Sequence, residues 1–237
     1  MHATVLGPPE APDVVCVHGL GCSHRYFGPL ARQLSGGYHV VAVDLPGFGR
    51  TPGPPETLDV RGLSTALADW LRATGRGGVP LVANSAGCQV VADLAVHASE
   101  LLGPAVLNAP TMDRHARDPL PQIARLLSDV PRERPGWGLV IGREYLDCET
   151  RRLLATFRFL LADPIERKLA RLATPCVVVR GGRDPIVSRE WVQECVSLLP
   201  QGTLAEVAGA GHTLNYSAPA ALARIIHALL DRTGDFG

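Results

Sequence analysis

Ser85 stands where an apolar run stops and a helical period begins. Residues 80–83 read as a buried strand, and Val90, Val91, Leu94 and Ala95 recur on one face of a helix that follows. The serine therefore occupies a one-residue corner. Such a corner is strained and tolerates only small neighbours, and Ala83, Ala86 and Gly87 are small. A corner of this kind lifts a hydroxyl clear of the sheet and aims a helix N-terminus at it. A serine hydroxyl is a poor nucleophile until a base takes its proton. His212 is the candidate base, because an imidazole titrates near working pH. Asp184 is the candidate acid that would fix the imidazole tautomer and stabilise the imidazolium. Each type also has a plainer use: serines cap helices, and Asp-Pro pairs such as Asp184-Pro185 start turns. Asp113, beyond the preceding apolar strand, is a second possible acid.

The elements around these residues alternate. Val14 to Val17 is a short buried strand that ends at His18-Gly19-Leu20-Gly21. Ser23 opens a helix with Phe27, Leu30, Ala31 and Leu34 on one face, and Gly36-Gly37 stops it. A second strand over 39–43 ends in Asp44-Leu45-Pro46-Gly47-Phe48-Gly49. This is a βαβ unit, so a parallel sheet is expected. A strand, glycines, a helix and a terminal acid also describe a dinucleotide site, but His24 occupies the place of the third glycine that site needs. Further strands are read at 104–107, 176–179 and 203–207, with a final helix through Leu222, Ile226 and Leu230. Ser85, Asp184 and His212 all follow strand ends, hence one edge of the sheet. Near the start, Ala3 to Leu6 is the one strand-like piece, so the sheet is expected to be short or frayed at that edge.

Composition bounds the rest. The 237 residues suit one domain with an insertion, and 23 basic against 23 acidic residues leave no net charge. No basic stripe points to nucleic acid. The six cysteines include no C-x-x-C pair and read as buried free thiols of a reducing compartment. No basic n-region with an apolar run marks the first dozen residues, and no run is long enough to span a membrane. A cytoplasmic protein is expected. No His/Cys/Asp grouping has metal-ligand spacing, so neither metal nor cofactor is implied.

Five motifs in order carry a resemblance over nearly the whole chain: His18-Gly19-Leu20-Gly21, the Asp44 to Gly49 turn, the Ser85 corner, Gly181-x-x-Asp184 and Gly211-His212. Together they resemble the α/β-hydrolase family, serine-nucleophile branch. Ala83 departs from the family's G-x-S-x-G at its first glycine. The resemblance implies an α/β fold: a mostly parallel, doubly wound sheet of about seven to eight strands with a helical cap. Residues 1–110 and 173–237 would form the core and 111–172 the cap. It implies an oxyanion hole from the backbone N–H groups of Leu20 and Ala86. It also implies acyl transfer to water, on an ester, thioester or lactone. C–C hydrolases, hydroxynitrile lyases and a slow-turnover ligand receptor remain open on the same constellation.

Residues 111–172 show no strand, only short helical patterns broken by prolines. Leaving the sheet at the edge that carries Ser85, they would form a lid. Trp137, Tyr145 and Phe157 are the candidate pocket rings, Trp137 in a loop between Gly136 and Gly138. A small, largely apolar substrate is expected.

Overall fold

Short valine-rich runs bounded by Gly, Pro and Asp become strands because β-branched side chains suit a buried pleated surface. A computed structural model describes residues 1–133 and 136–234. Its strands are β1 (Ala3–Leu6), β2 (Asp13–Val17), β3 (His39–Val43), β4 (Leu81–Asn84), β5 (Ala105–Asn108), β6 (Cys176–Gly181) and β7 (Gly202–Val207). They form one seven-stranded sheet in the order β1-β3-β2-β4-β5-β6-β7. All neighbours are parallel except β1, which pairs antiparallel with β3, Ala3 opposite Val43 and Leu6 opposite Val40. The short N-terminal segment thus contributes one edge strand. Strand order reverses between β2 and β4, so a crevice opens there above the carboxyl ends of the strands.

The helices follow from the periodic faces. They are α1 (Gly28–Leu34), α2 (Val60–Ala73), α3 (Ala86–His97), α4 (Pro119–Asp129), α5 (Trp137–Asp147), α6 (Thr150–Ala162), α7 (Glu166–Leu169), α8 (Arg189–Leu198), α9 (Leu214–Ser217) and α10 (Pro219–Thr233). Alternation along β2 divides the core. Val15 and Val17 point into one apolar layer with Leu67, Leu71, Val91 and Trp191 from α2, α3 and α8. Val14 and Cys16 point into the other, with Leu30, Leu34, Leu222 and Ile226 from α1 and α10. Both faces of the sheet are therefore covered, as a parallel sheet requires.

Helices α4 to α7 lie between β5 and β6 in the chain. Trp137 differs from the sequence expectation: it opens α5 instead of lying in a loop. Gly136, at φ 93°, supplies the left-handed residue before the helix, and Gly138 is absorbed into its first turn. All six cysteines are buried and unpaired. Among the described residues no helix is long and apolar enough to cross a membrane.

Candidate active site

Ser85 joins β4 to α3 at φ 55° and ψ −121°, a region that side chains rarely adopt. Holding a non-glycine residue there costs about 1–3 kcal/mol, so the surroundings must enforce it. Its N–H donates to the Asn108 carbonyl at 2.9 Å, and its carbonyl accepts from Cys88 N–H at 2.9 Å. The helix also approaches β2 closely. A Cβ on Gly87 would lie 2.4 Å from the Val17 carbonyl oxygen, so only glycine lets α3 start where it does. The Ser85 corner is thereby aimed at the crevice.

The structure brings Asp184 and His212 together. His212 Nδ1 lies 2.9 Å from Asp184 Oδ2, and both side chains are buried. Asp184 Oδ1 accepts from the N–H groups of Ile186 (2.7 Å) and Val187 (3.1 Å), which fixes the carboxylate plane. Facing a carboxylate, Nδ1 carries the proton, leaving Nε2 as a lone-pair acceptor. Nε2 is buried with no hydrogen-bond partner among the described residues. Burial pushes the imidazole pKa down, but the carboxylates of Asp184, Asp129 and Glu133 outweigh it and hold it above the ordinary value. Asp113 goes elsewhere: it accepts from His115 N–H and the Ser188 hydroxyl, and pairs with Arg125 at 3.5 Å.

The loop after β2 faces the Ser85 corner. A Cβ on Gly19 would sit 3.1 Å from Ser85 Cβ, and Leu20 and Ala86 border the same cavity as Ser85 and His212. A buried polar chain ties these parts together. Gly19 N–H donates to the Tyr26 hydroxyl (2.6 Å), which donates to Asn84 Oδ1 (3.1 Å). Asn84 Nδ2 reaches the carbonyls of Asn108 (3.2 Å) and His212 (3.5 Å). His18 holds the loop through Nδ1 to the Gly19 carbonyl and Nε2 from Leu45 N–H. Asp44 accepts from the N–H groups of His24 and Arg50. The fold also gathers His2 and His24 around Asp44, with ligand atoms within 4.8 Å of one another, a grouping that sequence spacing conceals. Asp44 is already engaged in holding the two loops.

Above Ser85 lies a cavity of about 450 Å³. Its floor is Gly19, Leu20, Ser85, Ala86 and His212; its roof comes from α4, α5 and α6. Ile123, Leu126, Leu127 and Val130 supply one apolar wall, and Trp137, Tyr145 and Phe157 all line it. Sequence reading did not single out Asp129, Glu133, Thr213, Asn84 or Tyr26. Asp129 lies at the end of an otherwise readable apolar face, and its partner is in a loop 83 positions away. Nothing local in the sequence marks that contact.

Comparison with known proteins agrees with this architecture. The model of the alpha/beta hydrolase family matches residues 14–225. The chain is 26% identical over 241 residues to the esterase YbfF of Escherichia coli K12, covering 92% of each chain. It is 25% identical to a pimeloyl-[acyl-carrier protein] methyl ester esterase of Xylella fastidiosa, covering 90% of this chain and 91% of that one. Among solved structures, a bacterial membrane phospholipase A superposes with a TM-score of 0.82 at 23% identity, over 97% of this chain and 82% of that one. An E-2-(acetamidomethylene)succinate hydrolase superposes with a TM-score of 0.81 at 20% identity, over 97% and 94%. With the sheet order, the corner at Ser85 and the family match over 14–225 all in agreement, the chain belongs to the alpha/beta hydrolase family of enzymes.

Proposed function

We propose that this enzyme is a serine hydrolase that cleaves an ester, thioester or lactone of a small, largely apolar substrate through an acyl-enzyme. One observation carries the reading: the buried Asp184–His212 pair at 2.9 Å leaves Nε2 without a partner among the described residues, at the cavity that Ser85 borders. His212 Nε2 takes the Ser85 proton as Oγ attacks the carbonyl carbon. The tetrahedral oxyanion is received by the N–H groups of Leu20 and Ala86, the latter at the N-terminus of α3. The imidazolium, stabilised by Asp184, then protonates the leaving alcohol or thiol as its bond to carbon breaks. Water repeats the sequence, His212 again acting as base, and the acid is released. No direct Ser85–His212 hydrogen bond is formed in the resting protein, a contact that commonly tightens only with substrate bound.

The apolar walls favour hydrocarbon over charge, and the esterase names of two relatives fit an ester carbonyl. The test is turnover of a short-chain aryl ester by purified wild type and Ser85→Ala. The variant should fall by about 10³ or more in kcat with its circular dichroism unchanged. Wild-type turnover in a folded Ser85→Ala protein refutes the mechanism.

A further inference from the structure

The loop that carries His212 is gripped from above. Asp129, the last residue of α4, accepts from His212 N–H through Oδ1 at 3.3 Å. Glu133, one turn further, accepts from Thr213 N–H through Oε1 at 2.8 Å. Both carboxyl groups are buried, and Glu133 Oε2 has no hydrogen-bond partner among the described residues. The loop is shaped to admit them. A Cβ on Gly211 would stand 2.9 Å from Glu133 Oε1 and 3.2 Å from Asp129 Oδ1. Three adjacent residues of the histidine loop thus meet two acids of the lid, while Asp129 also borders the cavity.

Burying two acids side by side is unfavourable unless something uses them. We propose that Asp129 and Glu133 are positioning residues for His212: they clamp its backbone and add their field to that of Asp184. The charged groups whose fields reach His212 are Asp184 from the loop after β6 and this lid pair. The consequence is that the histidine is fully organised only while α4 and the turn after it are seated. A lid that leaves takes with it both a backbone anchor and part of the field that favours the imidazolium. The proposal rests on the serine-hydrolase reading of His212.

Burial, reinforced by the carboxylates of Glu133 and Asp184 and opposed by His212, pushes Asp129 up to about 7. A single amide substitution leaves one acid of the pair in place beside the histidine loop. The double variant Asp129→Asn/Glu133→Gln removes both acids while keeping a carbonyl oxygen for each backbone N–H. The direct measurement is the low-field proton resonance of His212 Nδ1–H in the resting protein, assigned by its loss in His212→Gln and followed against pH. It needs no turnover, so it is read even if the substrate class is wrong. The double variant should lower the His212 pKa by about half a unit or more, and either single variant by less. The acid limb of kcat/KM on a short aryl ester should move the same way. Gly211→Ala, which alters no titrating group, should push the acids off the loop and lower kcat by about tenfold or more with KM for the smallest ester little changed. An unshifted His212 pKa in the double variant overturns the electrostatic half. Wild-type kcat in folded Gly211→Ala overturns the clamp, leaving the pair a mere fastening of the lid.

Discussion

Replacing Asp184 by asparagine alters the machinery by one atom type, and the structure sets the size of the effect. Asp184 serves two masters: Oδ1 accepts two backbone N–H groups, and Oδ2 faces His212 Nδ1. An amide has one oxygen. If that oxygen keeps the Ile186 and Val187 N–H groups, the NH₂ points at Nδ1 and forces the other tautomer. Nε2 then carries the proton, and the base towards Ser85 is gone. Restoring the working tautomer means flipping the amide, which sets an NH₂ against two N–H donors in a buried site. Each buried N–H left without an acceptor costs about 1–3 kcal/mol, so the flip costs about 2–6 kcal/mol. That converts to a loss of about 30-fold to 10⁴-fold in kcat. The assay is steady-state hydrolysis of a short aryl ester, with Asp113→Asn measured beside it. Asp113 caps the turn at His115 and binds Ser188, so its amide variant should lose some stability and keep its turnover. A folded Asp184→Asn enzyme within threefold of wild type, or a larger loss in Asp113→Asn, would refute the assignment.

Trp137→Ala and Tyr145→Ala should lower kcat/KM by about tenfold on longer acyl esters and spare the smallest acetate ester, because both rings line the cavity roof. An equal loss on every ester in a chain-length series would contradict substrate reading by the lid. Gly87→Ala should lower the melting temperature by several degrees and impair turnover, since its methyl meets the Val17 carbonyl at 2.4 Å. Unchanged melting and activity would show that α3 can shift freely. Asp129 has its pKa raised on folding, so the folded chain holds more protons than the unfolded chain between about pH 4 and 7. Its contribution is complete below the unfolded value and lost as pH rises through about 7. Melting temperature in wild type should therefore fall from pH 5 to 8 more steeply than in Asp129→Asn; parallel curves in differential scanning calorimetry would refute this.

The sheet was legible because its signals are local. Valine runs, terminal glycines and the helical period after Ser85 lie within a few residues of what they specify. Asp184 and His212 were legible through the same logic, each following a strand that ends at one edge. Residues 111–172 were legible only as helices. Two glycines around Trp137 read as a loop, yet one became the residue before α5 and the other entered its first turn. Flanking glycines permit a loop without requiring one, and Trp137 lines the cavity from the first turn of α5. Asp129 and Glu133 were invisible for another reason. An acid beside an apolar helical face looks solvated, and its burial arises from a loop 80 or more positions away. Tyr26 and Asn84 were hidden likewise, because their bond joins positions 58 apart.

The six unpaired cysteines have a practical meaning. They are spread over β2, the loop after it, α3, the end of α5, β6 and α8, and every one is buried. Burial raises the pKa of each thiol, so the reactive thiolate is scarce in the native protein. The chain therefore carries its own sulfur tags at separate depths, silent to an alkylating reagent until a local opening reaches them. Cys148 tags the end of α5, Cys22 the loop after β2, and Cys16 and Cys176 the sheet. The order in which mass spectrometry finds them alkylated would chart which layer of the molecule comes apart first.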